Sequence, residues 1–349
     1  MVANIRDVAE AAGVSVTTVS HVLSGRGRVA EHTRQRVSQI ANDLSYRPNV
    51  HAQQLVTRRS RTLAIQVASF GGPNEDRTLI PHSDYFLDLL NGAAAAAAAH
   101  GCALILTPPH VDASRLTEFA VDGVIVVDPR GDEPLFQGEW QRARPLVTTG
   151  RPMTGGPARC VVDNDHVAAA VDVLDHLERE GYVRPALVLT RTSRSYVADI
   201  LAAYRAWTAS RDLEPLVVEI GETPSESVAA QALGSLLGLA LPPDAVYTSS
   251  EELALGVLHE ARRRGIEVPA ELGVCSAVDS SALRLTTPQV TGTMLHPTEI
   301  GRQAAEALLE LAGDPDAVPH LLAVPARLCV RESTRRTRHR DAQSGSHTE

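Results

Sequence analysis

The stretch NIRDVAEAAGVSVTTVSHVL, residues 4–23, determines how the rest of the chain is interpreted. It predicts two short helices that are joined by a tight turn. Asn4 and Asp7 have the spacing of a capping box at the start of the first helix. Gly13 can supply the left-handed residue that ends this helix, and Ser15 can cap the next one. The stretch is therefore a compact helical pair whose ends are specified by local signals.

The second helix of this pair has two different faces. Its inward face is apolar, and its outward face carries small polar side chains, which bury little surface but can reach base edges. Such a face is typical of a helix that reads the major groove of DNA. The alternative is a helical hairpin inside a larger core, and spacing alone does not decide between the two. The inward residues are Val19, Val22 and Leu23, and the outward residues are Thr17, Ser20, His21 and Ser24.

The distribution of charge favours nucleic acid, although the whole chain has a net charge of −9. Residues 1–61 contain nine arginines against four acids, a balance of +5. The remaining residues contain 24 arginines against 38 acids, a balance of −14. A small basic module attached to a large acidic body is the pattern of a DNA-binding head joined to a regulatory domain.

The composition and the motifs exclude several other classes of protein. No apolar run reaches the roughly 20 residues of a membrane span, and the start of the chain lacks a signal-peptide pattern, so we expect a cytoplasmic protein with no membrane partner. The four cysteines are far apart and fit no metal or redox spacing. There is no complete phosphate loop, no nucleophile elbow and no metal-binding motif. We therefore expect no catalytic activity, no metal and no cofactor.

The predicted head continues through a third helix over residues 31–44, in which Val37, Ile40, Ala41 and Leu44 have helical spacing. We assign residues 1–47 to this head and residues 48–61 to a hinge helix and linker. The hinge can form only about two helical turns, which is too short for stability in isolation. It is either an ordinary linker or a segment that folds on DNA and inserts Leu55 into a minor-groove step.

The run IRDVAEAAGVSVTTVSHVLSGRGRVAEHTRQRV, followed by YRPN and AQQL, strongly resembles the head and hinge of the lactose-repressor (LacI) family. The resemblance extends to about residue 336. It implies a sequence-specific transcriptional regulator, a repressor that binds a pseudo-palindromic operator as a homodimer. By this resemblance the major-groove readers are Val16, Thr17 and His21, the backbone contacts are Ser15, Thr18, Ser20, Tyr46 and Asn49, and the minor-groove residues are Ala52 and Leu55.

From residue 62 onward, strand and helix patterns alternate, which predicts parallel sheets with helices on both faces. This body resembles the α/β periplasmic-binding-protein-like effector domain of the family, with two doubly wound parallel-sheet subdomains behind an all-α helix-turn-helix head. We assign residues 62–334 to it, with one subdomain of residues 62–160 plus 291–334 and the other of residues 161–290. Residues 335–349 are predicted to be a disordered tail without a leucine heptad, which favours a dimer.

Ligands in such folds bind in the cleft at the carboxyl ends of the strands. Sugar-binding members of the family usually hold hydroxyl groups between an arginine and an aspartate. In this sequence Ile200 aligns with that arginine and Val278 with that aspartate, with Asp279 one place further along. Ser250 and Glu251 replace the usual Asn–Asp pair, and residues 71–82 are expected to add a loop at the mouth of the cleft. An ordinary monosaccharide effector is therefore not expected.

The side chains that remain able to contact an effector are polar or aromatic and lie near predicted strand ends. A regulator of this architecture could respond by induction or by corepression, and the sequence does not distinguish them. Two alternatives stay open: the same DNA-binding regulator with lost or non-sugar effector control, and a cytoplasmic solute-binding protein, which the head disfavours. The candidate effector contacts are Asp84, Tyr85, Asp128, Asp163, Arg194, Tyr196 and Asp279.

Overall fold

The computed structural model divides into two compact units, Met1–Arg61 and Thr62–Glu349. We call the first unit the head and the second the body. The residues that the structure describes are 3–24, 28–46, 59–68, 83–109, 111–136, 144–154, 160–221, 223–314 and 320–336. The predicted hinge residues Asn49, Ala52 and Leu55, the predicted extra loop at 71–82 and most of the predicted tail lie outside this set.

The head contains the helices α1 (Ile5–Ala12), α2 (Val16–Ser24) and α3 (Glu31–Asp43). The capping box of α1 is confirmed, because the Asn4 side chain accepts from the backbone and the Asp7 side chain accepts from the N–H of Asn4 at 2.8 Å. Gly13 has a φ of 62°, the left-handed conformation that glycine adopts at least cost. The local signals at both ends of α1 therefore act as predicted.

The apolar faces of the three head helices meet in a small core. The prediction that Leu44 belongs to the apolar face of α3 is wrong. Leu44 is 39% exposed, because it follows the last residue of α3, where the chain turns away; Tyr46 packs against the core instead. The buried residues of this core are Val8, Ala9, Ala12, Val19, Val22, Val37 and Ala41.

The body alternates strands and helices, as the sequence predicts. Its helices are α4 (Asp84–Ala99), α5 (Ala113–Glu118), α6 (His166–Arg179), α7 (Ser195–Ala209), α8 (Glu226–Leu237), α9 (Glu251–Arg263), α10 (Ser281–Arg284) and α11 (Pro297–Gly313). Its strands are β1 (Thr62–Val67), β2 (Ala103–Thr107), β3 (Gly123–Val127), β4 (Leu146–Thr149), β5 (Cys160–Asn164), β6 (Pro185–Thr190), β7 (Leu216–Ile220), β8 (Ala245–Thr248), β9 (Gly273–Ser276), β10 (Thr291–Met294), β11 (His320–Val324) and β12 (Arg327–Cys329).

These strands form two sheets, in the orders β11-β5-β4-β3-β1-β2 and β12-β10-β9-β8-β6-β7. The pairing within each sheet is parallel except between β10 and β12, which is antiparallel. Helices cover both faces of each sheet, so most of the side chains on the buried strands are apolar. The two doubly wound parallel-sheet subdomains are therefore confirmed.

The predicted boundaries between the subdomains are wrong at three places. β5 pairs with β4, so the first crossover follows Asn164 and does not lie at 160. β10 pairs with β9, so it stays in the second sheet. β11 then returns to the first sheet, while β12 pairs with β10 in the second. Strand pairing between segments far apart in sequence, and not local pattern, decides which sheet receives each strand.

The helix α11 returns to the first subdomain and packs closely against α4. A Cβ atom at Gly301 would lie 1.9 Å from the Leu89 carbonyl oxygen, and one at Gly92 would lie 2.0 Å from the Thr298 carbonyl oxygen. The two helix backbones are thus in direct contact at these glycines. The alanine-rich run of α4 gives the small side chains that such a close approach needs.

Candidate functional site

A cavity of about 1030 Å³, counted with the part that opens to solvent, lies in the cleft between the two subdomains. Its lining residues follow the carboxyl ends of strands in both sheets: Asp128 follows β3, Ser249 follows β8 and Ala277 follows β9. Parallel strands bring these ends to one edge of each sheet. The position agrees with the predicted effector cleft.

Four of the predicted effector residues line this cavity, namely Tyr85, Asp128, Arg194 and Tyr196. Tyr85 lies in the first turn of α4, whose N-cap Ser83 also lines the cavity. Burial raises the pKa of Tyr196 to about 12 and raises the pKa of Asp128 to about 6. Both residues are half-buried in this cleft, and their contact with an effector remains a prediction.

Arg194 joins the two subdomains at the floor of the cavity. It precedes α7 in the second subdomain, and its guanidinium donates a short hydrogen bond to the main-chain carbonyl of Asp128 in the first. Only 3% of Arg194 is exposed. Burial lowers the pKa of this guanidinium, and the carboxylate of Asp128 opposes that shift. Arg194 therefore lines the cavity and also forms a hydrogen bond between the two subdomains.

The other three predicted effector residues do not line the cavity. The prediction is wrong for Asp279, whose side chain is fully buried and accepts from the Arg331 guanidinium at 2.8 Å. Asp84 instead accepts a 3.0 Å hydrogen bond from the backbone N–H of Ser281, on the other subdomain. Asp163 lies behind the cavity wall, with its carboxylate 3.3 Å from Nε2 of His166. These two carboxylates therefore have positioning roles in the described structure.

Ile200 and Val278 both line the cavity, so apolar side chains occupy the two positions at which the family resemblance leads one to expect an arginine and an aspartate. Sequence reasoning missed several other lining residues. The polar ones lie at the end of a strand or within three residues after it, or at the N-cap or in the first turn of a helix, which is the signal that could have found them. The missed residues are Ser83, Phe86, Arg130, His166, Thr190, Thr192, Pro224, Ser249, Glu252, Ala277 and Leu295.

Further polar contacts connect the subdomains near the cavity. Arg151 follows β4 in the first subdomain, and its guanidinium donates to both carboxylate oxygens of Asp199 on α7, at 2.6 and 2.5 Å. The backbone N–H of Arg151 also donates to Oγ of Ser195 at 3.2 Å. These contacts cross the cleft between the two subdomains. A ligand that changes the spacing of the subdomains would therefore break these hydrogen bonds or strengthen them.

Asn164 ties the three crossover segments together. Its side-chain amide donates to the carbonyl of Leu295 at 3.1 Å and to the carbonyl of Val324 at 2.8 Å. Asn164 ends β5, Leu295 follows β10 and Val324 ends β11, so each lies where the chain passes between subdomains. The cap of the following helix α6 is Asp165, whose side chain accepts from the N–H of Ala168.

The outward face of α2 is exposed in the head. Val16 is 41% exposed, and Thr17, Ser20 and His21 are exposed as well, in agreement with the predicted orientation. Oγ of Ser15 accepts from the N–H of Thr18 at 3.1 Å, which confirms Ser15 as a capping side chain. The two hydroxyls of these residues also lie 2.9 Å apart. The side chain of Ser15 therefore caps the start of α2. The contacts of the exposed face of α2 with DNA remain a prediction.

Two further classes of site receive no support in the described part of the chain. The described residues contain no group of three histidine, cysteine or acidic side chains with a geometry that could hold a metal ion. Within the same residues, no helix combines the length and the apolar character that crossing a bilayer requires. The cavity of the body and the exposed face of α2 are thus the two candidate functional surfaces.

Two family models match the chain. Residues 4–49 match the model for bacterial regulatory proteins of the lacI family, and residues 174–334 match the model for a periplasmic binding protein-like domain. The first match contains the whole helical head, and the second contains most of the second subdomain together with α11 and β11. The exposed face of α2 lies inside the first match, whereas the second match contains only the part of the cavity wall that follows residue 174.

Relatives and solved structures agree with these matches over nearly the whole chain. The HTH-type transcriptional regulator CelR of Thermobifida fusca is 29% identical over 337 residues, which cover 93% of this chain and 96% of CelR. A solved complex of the transcriptional regulator CelR with cellobiose has a TM-score of 0.68 and 26% identity, with 95% of this chain and 99% of that chain covered. A lac repressor dimer bound to operator and the anti-inducer ONPF has a TM-score of 0.75 at 20% identity, with 96% and 99% covered, and shows the shared fold.

Proposed function

We propose that the chain is a member of the lacI family of bacterial regulatory proteins and that it represses transcription by binding a pseudo-palindromic operator as a homodimer. The protein is a DNA-binding transcriptional regulator, and its relatives are regulators and not enzymes. The observation that carries the proposal is the exposed polar face of α2 on a rigid helical head. Such a helix fits the major groove, and two heads would read two half-sites.

The proposed readers are Val16, Thr17 and His21, whose side chains lie on one face of α2 and are open to solvent. The proposed contacts with the DNA backbone are Ser15, Thr18, Ser20 and Tyr46. Such contacts fix the orientation of the helix on DNA without reading the base sequence. In the hinge, Asn49 would add a further backbone contact, and Ala52 and Leu55 would lie in the minor groove. In the cell we place the protein in the cytoplasm, associated with the nucleoid when it is bound to DNA.

The proposed regulation acts through the cleft of the body. An effector in the cavity would favour one spacing of the subdomains over another, and only such differential binding can shift the equilibrium between DNA-binding states. The apolar side chains of Ile200 and Val278 on the cavity wall support an effector other than an ordinary monosaccharide. The contacts between Arg151 and Asp199 connect the subdomains through protein groups, which supports as a second candidate the same DNA-binding regulator with lost effector control.

Selection of operators from a randomised DNA pool tests the proposed reading. We expect the wild-type protein to return a two-fold pseudo-palindrome, and His21→Ala to lose preference at one position of each half-site. A lost base contact should lower affinity for the wild-type operator about 10-fold, which corresponds to about 1.4 kcal/mol. Thr17→Ala should change a different position. The same consensus from wild type and both variants would show that these residues are not readers.

Leu55→Ala tests the proposed minor-groove wedge. We expect specific operator binding to weaken about 10- to 100-fold while binding to random DNA changes less than about 2-fold, because unstacking of a base step is required only in the specific, bent complex. Gel-shift titrations at one fixed salt concentration measure both values, since binding to phosphates depends strongly on salt. Equal losses on the two DNAs would contradict the wedge and leave the reading by α2 intact.

A further inference from the structure

We propose that Asp84 is a positioning residue of the effector cleft, whose carboxylate joins the start of α4 in the first subdomain to α10 in the second. Through this contact the two walls of the cavity are held in one relative position, which couples ligand binding to the spacing of the subdomains. The proposal rests on the proposed function, because it takes the cavity as the effector site of a regulator. It adds the residue pair that joins the two walls, Asp84 and Ser281.

The contact between Asp84 and Ser281 consists of two hydrogen bonds to one carboxylate oxygen. Oδ2 of Asp84 accepts from the backbone N–H of Ser281 at 3.0 Å and also from the hydroxyl group of the same residue. The hydroxyl and the N–H of Ser281 lower the pKa of Asp84, and the nearby guanidinium of Arg284 acts in the same direction. Asp84 is therefore ionised at neutral pH, and hydrogen bonds to an ionised acceptor are stronger than those between neutral groups.

On the first subdomain, Asp84 is part of the segment that forms the cavity wall. It is the first residue of α4, whose N-cap is Ser83. Its neighbours Ser83 and Tyr85 both line the cavity, as does Phe86. Phe86 is only 7% exposed and belongs to the core of this subdomain, so the start of α4 is anchored to the sheet behind it. A displacement of the Asp84 carboxylate therefore acts on the lining residues through the backbone of α4.

On the second subdomain, Ser281 directly follows Ser280, the N-cap of α10. Ser280 is buried, and its hydroxyl group accepts from the N–H of Leu283 at 3.3 Å. The same hydroxyl is hydrogen-bonded to the carboxylate of Glu251, which lines the cavity. The residue that contacts Asp84 is therefore separated from a lining carboxylate by one peptide bond and one hydrogen bond.

The segment between the lining residue Val278 and Ser281 is fixed to the second sheet. The backbone N–H of Asp279 donates to the carbonyl of Thr293 in β10 at 2.8 Å. A Cβ atom at Gly292 would lie 2.9 Å from the Val278 carbonyl oxygen, so this segment lies directly against β10. The hydrogen bonds from Ser281 to Asp84 therefore connect the second sheet, and not a loose loop, to the start of α4.

A separate group of contacts crosses the cleft at other elements. Arg151 follows β4, and its backbone N–H donates to Oγ of Ser195 at the start of α7, at 3.2 Å. If Asp84 positions the whole cleft, its removal should also loosen this contact, because both depend on the same spacing of the subdomains. If Asp84 only caps α10, the contact of Arg151 should not respond. The two roles therefore differ in a measurable way.

Hydrogen exchange of the full chain, resolved to single amides by mass spectrometry, tests the proposal without DNA or effector. In Asp84→Ala we expect exchange at the amides of Ser281 and Arg151 to rise about 10-fold, since both amides donate across the cleft and become exposed when it opens. The amide of Asp279, which donates within the second subdomain, should keep its wild-type rate. A rise at Ser281 alone, no rise at either amide, or faster exchange at all three would overturn the proposal.

Two further variants separate positioning from a general effect of charge. Asp88→Ala removes an exposed acid one turn further along α4 and should leave all three amides unchanged; an effect equal to that of Asp84→Ala would contradict the assignment. Ser281→Ala removes the hydroxyl and keeps the N–H, so we expect a rise of only about 3-fold at Arg151, and no further rise when it is combined with Asp84→Ala. Additive effects would show that the two side chains do not act through one contact. Operator binding by the wild-type protein tests the proposed function separately, because it can succeed while the exchange result fails.

Discussion

Gly301→Ala is expected to lower the free energy of unfolding of the body by about 3 kcal/mol. The added methyl group would overlap the Leu89 carbonyl oxygen of α4, with a separation of 1.9 Å before any adjustment. Because the obstacle is main chain, it cannot be relieved by rotation of a side chain, and α11 must move away from α4. Overpacking of a tight core typically costs about 1–3 kcal/mol and can cost more. Gly92→Ala should act in the same direction, since its Cβ would meet the Thr298 carbonyl oxygen.

Gly234→Ala is the matched control, and the expected sign is reversed. Gly234 lies within α8, where the nearest atom to an added Cβ is the guanidinium of Arg264, the flexible end of a long side chain. Alanine is favoured over glycine inside a helix by about 1 kcal/mol, so this variant should be stabilised or unchanged. Urea unfolding followed by circular dichroism measures all three proteins. A Gly301→Ala protein as stable as wild type would show that the two helices are not in backbone contact.

The sequence predicted the parts of the fold that depend on neighbouring residues. Asn4, Asp7, Gly13 and Ser15 interact with groups only two to four positions away, so their roles could be inferred without any knowledge of the rest of the chain. The alternation of strands and helices in the body is local in the same way. The short helices α5 and α10 escaped prediction, because four to six residues give too little periodicity.

The parts that the sequence could not predict depend on distant residues. β5 joins the first sheet because it pairs with β4 and β11, and the register to β11 involves residues 160 positions later in the chain. Asp279 follows a strand at the cleft, which made it a reasonable effector contact. Instead, the guanidinium of Arg331, 52 positions further on, donates a hydrogen bond to Oδ2 of Asp279. Strand ends predict where a cleft lies. The orientation of each side chain, in contrast, depends on contacts with residues that are distant in sequence.

Asn164→Ala should destabilise the body by about 2 kcal/mol and alter the coupling between the subdomains. The substitution removes two buried hydrogen bonds and leaves the carbonyls of Leu295 and Val324 without this donor. Each net hydrogen bond contributes about 1 kcal/mol, and a buried group that loses its partner costs more. Since the amide joins all three crossover segments, its loss should also weaken the response of operator binding to any effector. Asn91→Ala, on the exposed face of α4, is the control and should change stability by less than about 0.5 kcal/mol.

Asn164→Asp separates the loss of a donor from the loss of packing. An aspartate has nearly the shape of asparagine, but its carboxylate can only accept, so it would face two carbonyl oxygens in a buried position. We expect this variant to be less stable than Asn164→Ala at neutral pH. Burial and the two carbonyls would raise the pKa of the new carboxyl in the folded state above its unfolded value. A raised folded-state pKa means that the folded protein binds the extra proton more readily, so the deficit relative to wild type should shrink as the pH falls through that pKa. Denaturant midpoints for the three proteins at pH 5 and pH 7 measure this, and a deficit that grows toward acid would show that the Asn164 amide does not donate to the crossover carbonyls.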